Sequence, residues 1–215
     1  MAKKLVNKIK IVGCGPGSKK YMTGYAVHLI KDADSIIGSK RLLSLFPDVE
    51  ADKYTLTKNY KLLIKQIVSL SRHNNVVVLV SGDPGFYSYA KLIIDKVGID
   101  NCEVIPGISS VQLAFASIGK TWNDAYFLSM HGRRNVLSKL MQKVKEHKKV
   151  AVLTDKSNNL KLIANGLLNE GLSDRKIFLC ENLSLNKQRI REFKATSIQK
   201  ARVSGLNIII ILDEN

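Results

Sequence analysis

The sequence predicts an α/β protein with mostly parallel sheets. Short apolar runs of strand length alternate with segments of helical periodicity along the chain. Val76–Val80 is an unbroken valine and leucine run, the pattern of a strand covered on both faces. Glycine-rich clusters follow several of the apolar runs directly, as turns between strands and helices do.

The elements follow in order. Residues 8–12 read as a strand through Ile9, Ile11 and Val12, and 23–33 as a helix with Ala26, Leu29, Ile30 and Ala33 on one face. A strand at 35–37, a helix at 60–72, the strand at 76–80 and a helix at 87–97 come next. An extended segment at 103–105 and a helix at 109–118 close the first series. The second series comprises a strand at 125–129, a helix at 136–146, a strand at 150–153 and a helix at 159–169. Strands at 177–180 and 207–212 complete it. Residues 119–124 break the alternation and hold Trp122, the single tryptophan. A boundary there gives an N-terminal α/β domain at 1–118, which carries the glycine-rich loops, and a C-terminal α/β domain at 119–215.

Composition narrows the function classes. Of the 215 residues, 45% are hydrophobic, enough to bury a core and to exclude wholesale disorder. No run approaches the roughly 18 apolar residues of a membrane span. Lys3, Lys4, Lys8 and Lys10 have no long apolar run behind them, so the start does not read as a secretory signal. Cys14, Cys102 and Cys180 are far apart and odd in number, with no metal-ligand spacing. They are expected to be reduced, in a cytoplasmic protein without a metal site. With 34 Lys and Arg against 18 Asp and Glu, the net charge is +16. That field attracts nucleic acid, anionic membrane or a small polycarboxylate. The lysines are scattered along the whole chain, which favours ordinary solvated faces and leaves the charge compatible with an acidic ligand.

In an open α/β sheet ligands bind where strands end and helices begin, so the loops there should carry the chemistry. Gly13-Cys14-Gly15-Pro16-Gly17-Ser18 allows close ligand approach. It departs from a dinucleotide fingerprint at Ser18 and at Pro16, which removes a backbone donor. In Ser81-Gly82-Asp83-Pro84-Gly85-Phe86-Tyr87-Ser88 a carboxylate stands on a stiff turn, ready to meet a ligand or to cap the next helix. Pro106-Gly107-Ile108-Ser109-Ser110 offers hydroxyls that cap a helix or face a ligand. Residues 114–121 mimic a phosphate-binding loop, but Ala114 replaces its first glycine and a helix precedes it, so they read as a helix end. Ser129-Met130-His131-Gly132-Arg133-Arg134 sets a histidine and two arginines at a strand end, a carboxylate clamp or a solvated turn.

In this order the loops resemble the motifs of the tetrapyrrole methylases, and Gly38-Ser39-Lys40-Arg41-Leu42-Leu43 adds to the likeness. Trp122, Ser129-Met130-His131-Gly132-Arg133 and Glu181-Asn182-Leu183-Ser184 are similar to the cobalt-precorrin-7 (C5)-methyltransferase branch, with Met130 where that branch suggests leucine. The resemblance implies the two-domain tetrapyrrole methylase fold, with the active site in the interdomain cleft. It implies C5 methylation of a cobalt-precorrin by S-adenosylmethionine, which leaves S-adenosylhomocysteine. Carried over by position, the cofactor contacts are Pro16, Gly82, Asp83, Phe86, Ser109, Ser110, Leu153, Thr154 and Leu183. Arg133 and Arg134 are expected to grip substrate carboxylates with His131 close to the ring, and His131 and Arg133 are the catalytic candidates. A homodimer is implied. A chain of this length leaves the C15-methylating, decarboxylating step to a separate enzyme. No membrane or nucleic-acid partner is expected. Methylation of another tetrapyrrole carbon or of RNA is an alternative within the superfamily. A non-catalytic nucleic-acid-binding module would leave the Gly-Asp-Pro-Gly loop without a purpose.

Overall fold

The computed structural model describes residues 5, 7–57, 59–132, 135–155, 160–198, 201–203 and 205–214. They fall into two compact units, 1–109 and 110–215.

The first unit runs β1 (Ile9–Gly13), α1 (Gly24–Lys31), β2 (Ser35–Gly38), α2 (Lys40–Leu43), β3 (Asp52–Thr55), α3 (Tyr60–Leu70), β4 (Val76–Val80), α4 (Ala90–Val97) and β5 (Cys102–Ile105). Its sheet has the order β3-β2-β4-β1-β5 and is parallel throughout. Both faces are covered, and the period of two sorts the side chains between them. Ile9, Ile11, Val76, Val78 and Val80 pack with Leu63 and Ile67 of α3 and Ile93 of α4. Val12, Val77 and Leu79 pack on the other face with Ala26, Leu29 and Ile30 of α1 and Leu42 of α2. Each such side chain contributes about 1.5–3 kcal/mol by leaving water. This is why β4 has no polar position.

The connections fix where a ligand can bind. From β1 the chain passes β4 to reach β2, and from β4 it passes β1 to reach β5. The neighbours β1 and β4 therefore send their connections in opposite directions. A crevice opens outside their carboxyl ends at such a switch point.

The second unit contains α5 (Ser110–Ser117), β6 (Tyr126–Ser129), α6 (Leu137–Glu146), β7 (Lys149–Leu153), α7 (Leu160–Asn169), β8 (Lys176–Glu181), β9 (Arg189–Lys194), α8 (Ala195–Ile198) and β10 (Asn207–Leu212). The strand order is β6-β7-β10-β8-β9. Only β6 and β7 pair in parallel; β7 with β10, β10 with β8 and β8 with β9 are antiparallel. The expectation of mostly parallel sheets is thus corrected for this unit. The connection from β8 to β9 is too short for a crossover, so this pair can only be antiparallel. Strands β6, β7 and β8 still run the same way, and the loops that follow them share one edge.

Helix α5 also departs from the expected division at 118/119. Its Val111, Leu113, Ala114 and Phe115 are buried, it touches β10, and it groups with the second unit. It ends as the sequence suggests. Gly119 has φ +63°, its N–H donates to Ala116 O at 3.2 Å, and the Lys120 N–H donates to Phe115 O at 3.1 Å. That pair of bonds is a Schellman close, not a phosphate-binding loop.

Candidate functional site

In the first unit the ends of β4, β1 and β5 lie side by side, and their three loops meet through glycine backbones. A Cβ on Gly13 would stand 2.7 Å from Gly107 N and from Gly82 O, and one on Gly107 would stand 2.5 Å from Gly82 O. These are backbone neighbours that cannot swing aside. Gly15 and Gly82 form an antiparallel bridge, with the Gly82 N–H donating to Gly15 O at 2.8 Å and the Gly15 N–H to Gly82 O at 3.3 Å. Both have positive φ, at 65° and 67°, which a side chain would strain.

Asp83 joins the second loop to the third. Its Oδ1 accepts from the Gly85 N–H at 2.8 Å and its Oδ2 from the Gly107 N–H at 3.1 Å. It does not cap α4. That helix starts at Ala90, three residues later than periodicity suggests, and Ser88 Oγ accepts from the Ala90 N–H at 3.1 Å. The delay comes from Tyr87, whose φ of 47° cannot belong to a right-handed helix. The Tyr87 ring meets that of Phe86 edge to face at 4.9 Å. Pro16 and Ser109 are buried, and Phe86 is half-buried. Among the predicted cofactor contacts, Pro16, Gly82, Asp83, Phe86 and Ser109 thus belong to this one edge.

Two further features of the edge were not singled out for function from sequence. Ser18 Oγ is buried without a hydrogen-bond partner. Arg41, on the one-turn helix α2, donates from Nη2 to Ser81 Oγ at 2.8 Å, while its Nη1 is buried without a partner. Burial pulls the Arg41 pKa down from its ordinary value. Burial also pushes the neighbouring Cys14 thiol up to about 12, so it stays neutral.

In the second unit the predicted residues collect on the edge shared by β6, β7 and β8. The Met130 N–H donates to Leu153 O at 2.9 Å, and the Gly132 N–H donates to Asp155 Oδ2 at 2.7 Å. His131 is exposed on that tied turn. Met130 is fully buried in the core of this unit, so the exchange for leucine is a packing matter. Thr154 Oγ1 donates to Asn207 Oδ1 at 2.6 Å, at the start of β10. After β8, Asn182 and Ser184 have φ of 49° and 68°, and Leu183 between them is buried. Ser184 Oγ is buried without a partner. Ser110, the first residue of α5, is half-buried. Arg133 and Arg134 lie outside the described residues.

Sequence reasoning quoted Glu181, the buried last residue of β8, as part of a motif but missed its arginine partners. Arg189 grips it from Nε at 2.9 Å and Nη2 at 3.1 Å, and Arg191 donates to it from Nη2 at 3.0 Å. The signal was an arginine pair spaced by two on β9, which puts both on one face of the strand.

Backbone strain follows the same map. Among described residues other than glycine, positive φ occurs at Tyr87, Asp124, Asn135, Asn182 and Ser184. Tyr87, Asn182 and Ser184 lie in loops already marked by motif, and Asn135 directly follows Arg134. Strained backbone of this kind costs about 1–3 kcal/mol per residue and clusters at ligand sites. Among the described residues, no group of three or more His, Cys, Asp or Glu could hold a metal ion, and no helix is long and apolar enough to cross a membrane.

A parallel sheet with interlocked glycine loops at its switch point, followed by a mixed sheet with strained polar loops along one edge, defines a two-unit α/β protein. The chain belongs to the tetrapyrrole (corrin/porphyrin) methylases, whose family profile matches residues 8–199. It is 37% identical to a probable cobalt-precorrin-7 C(5)-methyltransferase of Methanocaldococcus jannaschii, covering 94% of this chain and 96% of that one. It is 34% identical to the cobalt-precorrin-7 C(5)-methyltransferase of Salmonella typhimurium, covering 96% and 99%. Among solved structures it resembles the cobalamin biosynthesis precorrin-6Y methylase of Archaeoglobus fulgidus, with a TM-score of 0.68, 26% identity and coverage of 97% and 98%. It shares the fold of the Thermus thermophilus uroporphyrin-III C-methyltransferase complexed with S-adenyl homocysteine, with a TM-score of 0.77, 20% identity and coverage of 96% and 98%.

Proposed function

We propose that this chain transfers a methyl group from S-adenosylmethionine to C5 of cobalt-precorrin-7 in cobalamin biosynthesis. The observation that carries the proposal is the end-to-end match, at 34–37% identity, to two proteins bearing that activity in their names. The crowded glycine edge supports the cofactor. Its three loops are locked together backbone to backbone at the switch point of the sheet, and Ser18 Oγ is a buried acceptor and donor with no partner among the described residues.

When bound, the cofactor supplies an activated sulfonium methyl group. The chain's task is to hold and orient it, bring up the electron-rich ring carbon in line and exclude water. Pro16, Gly82, Asp83, Phe86 and Ser109 of the first unit, and Ser110, Leu153, Thr154 and Leu183 of the second, are the residues we assign to the cofactor. Asp83 acts by fixing two loops at once. His131, Arg133 and Arg134 are assigned to the tetrapyrrole, where arginine forks match carboxylates. His131 and Arg133 are the candidates for a direct part in the reaction. We further assign a homodimer and a cytoplasmic location, the latter supported by three free cysteines. A separate enzyme would then carry out the C15 methylation and decarboxylation. The precorrin-6Y C(5,15)-methyltransferases of Sinorhizobium and Mycobacterium tuberculosis carry both methylations in their names, and this chain spans about half of their length.

The test is incubation of the purified chain with cobalt-precorrin-7 and S-adenosylmethionine carrying a carbon-13 methyl group. The expected product gains one labelled methyl, and its carbon spectrum puts that methyl on C5. A labelled methyl on another carbon, or none at all, overturns the assignment.

A further inference from the structure

We infer that Arg41 is an anion-binding residue of the first unit, and that its guanidinium receives a ligand carboxylate at the carboxyl edge of the parallel sheet. The inference deepens the methyltransferase reading and rests on it.

The argument starts from position. Ser39 caps the single turn α2 by accepting from the Leu42 N–H at 3.3 Å, and Leu42 and Leu43 anchor that turn in the core. Arg41 is thereby held at the end of β2, beside the end of β4, where its Nη2 meets Ser81 Oγ in the Gly-Asp-Pro-Gly loop. The guanidinium has five donors in a rigid fork. Ser81 takes one, and Nη1 is shut away from solvent with no acceptor among the described residues.

A buried donor that is unpaired costs free energy, and a buried cation costs more. No carboxylate among the described residues pairs with Arg41, and the thiol of Cys14 remains protonated beside it. The fold therefore carries a half-buried positive charge at its ligand edge, with no counter-ion among the described residues. An arginine fork with one arm pinned and one arm free is shaped for a carboxylate. Two ligands of the proposed reaction bring carboxylates: the amino-acid end of the cofactor, and the acid side chains of the tetrapyrrole.

The experiment separates these sources. The full chain and its Arg41→Met variant are titrated calorimetrically with S-adenosylhomocysteine, which carries the carboxylate, and with 5′-methylthioadenosine, which lacks it. Steady-state KM and kcat are measured with the corrinoid acid. A loss of about tenfold or more for S-adenosylhomocysteine, with 5′-methylthioadenosine unchanged, assigns the carboxylate to the cofactor. Unchanged cofactor affinity, with tetrapyrrole KM raised about tenfold and kcat nearly constant, assigns it to the substrate. If neither ligand is affected, Arg41 is a structural prop and the inference falls. Should Arg41→Met fail to fold, Arg41→Lys is read with the same probes, since it keeps the charge but not the fork. A threefold or larger loss is then expected, and no loss with either ligand overturns the inference. A wild-type chain that neither binds S-adenosylhomocysteine nor methylates the corrinoid defeats the methyltransferase reading itself, before any variant is compared.

Discussion

The Cβ that alanine would add at Gly13 lies 2.7 Å from the backbone nitrogen of Gly107, closer than real side chains approach backbone. Gly13 ends β1 and Gly107 lies two residues beyond the end of its neighbour β5, so neither loop can retreat without pulling on the sheet. Gly13→Ala is therefore expected to cost about 1–3 kcal/mol of stability, the usual range for overpacking, and to weaken S-adenosylhomocysteine binding. Gly24→Ala is the control. Its added Cβ meets nothing within 4 Å at the start of α1, and it should leave stability unchanged or raise it by up to about 1 kcal/mol. Thermal melting and calorimetry on both variants check the contrast. Equal behaviour would count against the close-packed edge.

Asp83 presents a second prediction, because one carboxylate serves two loops through Gly85 and Gly107. Hydrogen bonds to a charged acceptor contribute about 1.5–3 kcal/mol. Asp83→Ala should fold, melt earlier and bind S-adenosylhomocysteine at least about tenfold more weakly. Asp83→Asn keeps only one acceptor oxygen and should fall between Ala and the wild type. An unchanged dissociation constant for Asp83→Ala would remove Asp83 from the cofactor site.

Cys14 and Cys180 yield a prediction with a defined pH window. Burial pushes both thiols up to about 12 from the ordinary value of 9.0. The folded chain thus holds these protons after the unfolded chain has lost them. Their contribution to stability is complete below pH ~9 and falls as pH rises from there through ~12. Iodoacetamide at pH ~8 should leave both cysteines unmodified in the native protein and alkylate them after denaturation. Rapid labelling of native Cys14 would mean that its pocket opens.

The centre of the parallel sheet was legible because β4 is buried on both faces and so is apolar at every position from Val76 to Val80. Strands β3 and β9 were not legible, since Asp52–Thr55 and Arg189–Lys194 are edge strands of largely polar, partly exposed residues. The antiparallel character of the second sheet depends on pairing partners far apart in sequence, which periodicity does not encode. The loops were legible as motifs, but their joinery was not. No local pattern reveals that Asp83 reaches Gly107, or that Gly132 leans on Asp155. Arg41 was visible as part of a motif, yet its unpaired nitrogen exists only once β2 and β4 stand side by side.

Glu181 carries the fourth prediction. It is fully buried, and the forks of Arg189 and Arg191 reach it from β9. Removing its charge leaves two cations facing each other across a half-buried gap, whereas the charge itself is satisfied where it stands. Glu181→Gln should lower the melting temperature by several degrees, while Glu192→Gln, at an exposed position on β9, should lower it far less. The loop at Asn182 and Ser184 starts from Glu181, so cofactor affinity should fall with stability. A melting temperature equal to that of the wild type would show that the pair has no structural weight.

Arg133 and Arg134 carry the last prediction, which separates substrate from cofactor. The +16 charge draws any polyanion toward the chain, but only fixed arginines give a carboxylate a defined position. Replacing both by glutamine tests the grip proposed for them, since neither is among the residues assigned to the cofactor. The KM for the tetrapyrrole should rise by about tenfold or more, with the dissociation constant of S-adenosylhomocysteine within about twofold of wild type. The rise of KM with added salt should also become shallower, because two screened ion pairs have been taken away. If cofactor affinity falls in step with KM, the two arginines act through the fold rather than on the substrate. The positive charge that matters would then have to be sought elsewhere, with Arg41 the first residue to examine.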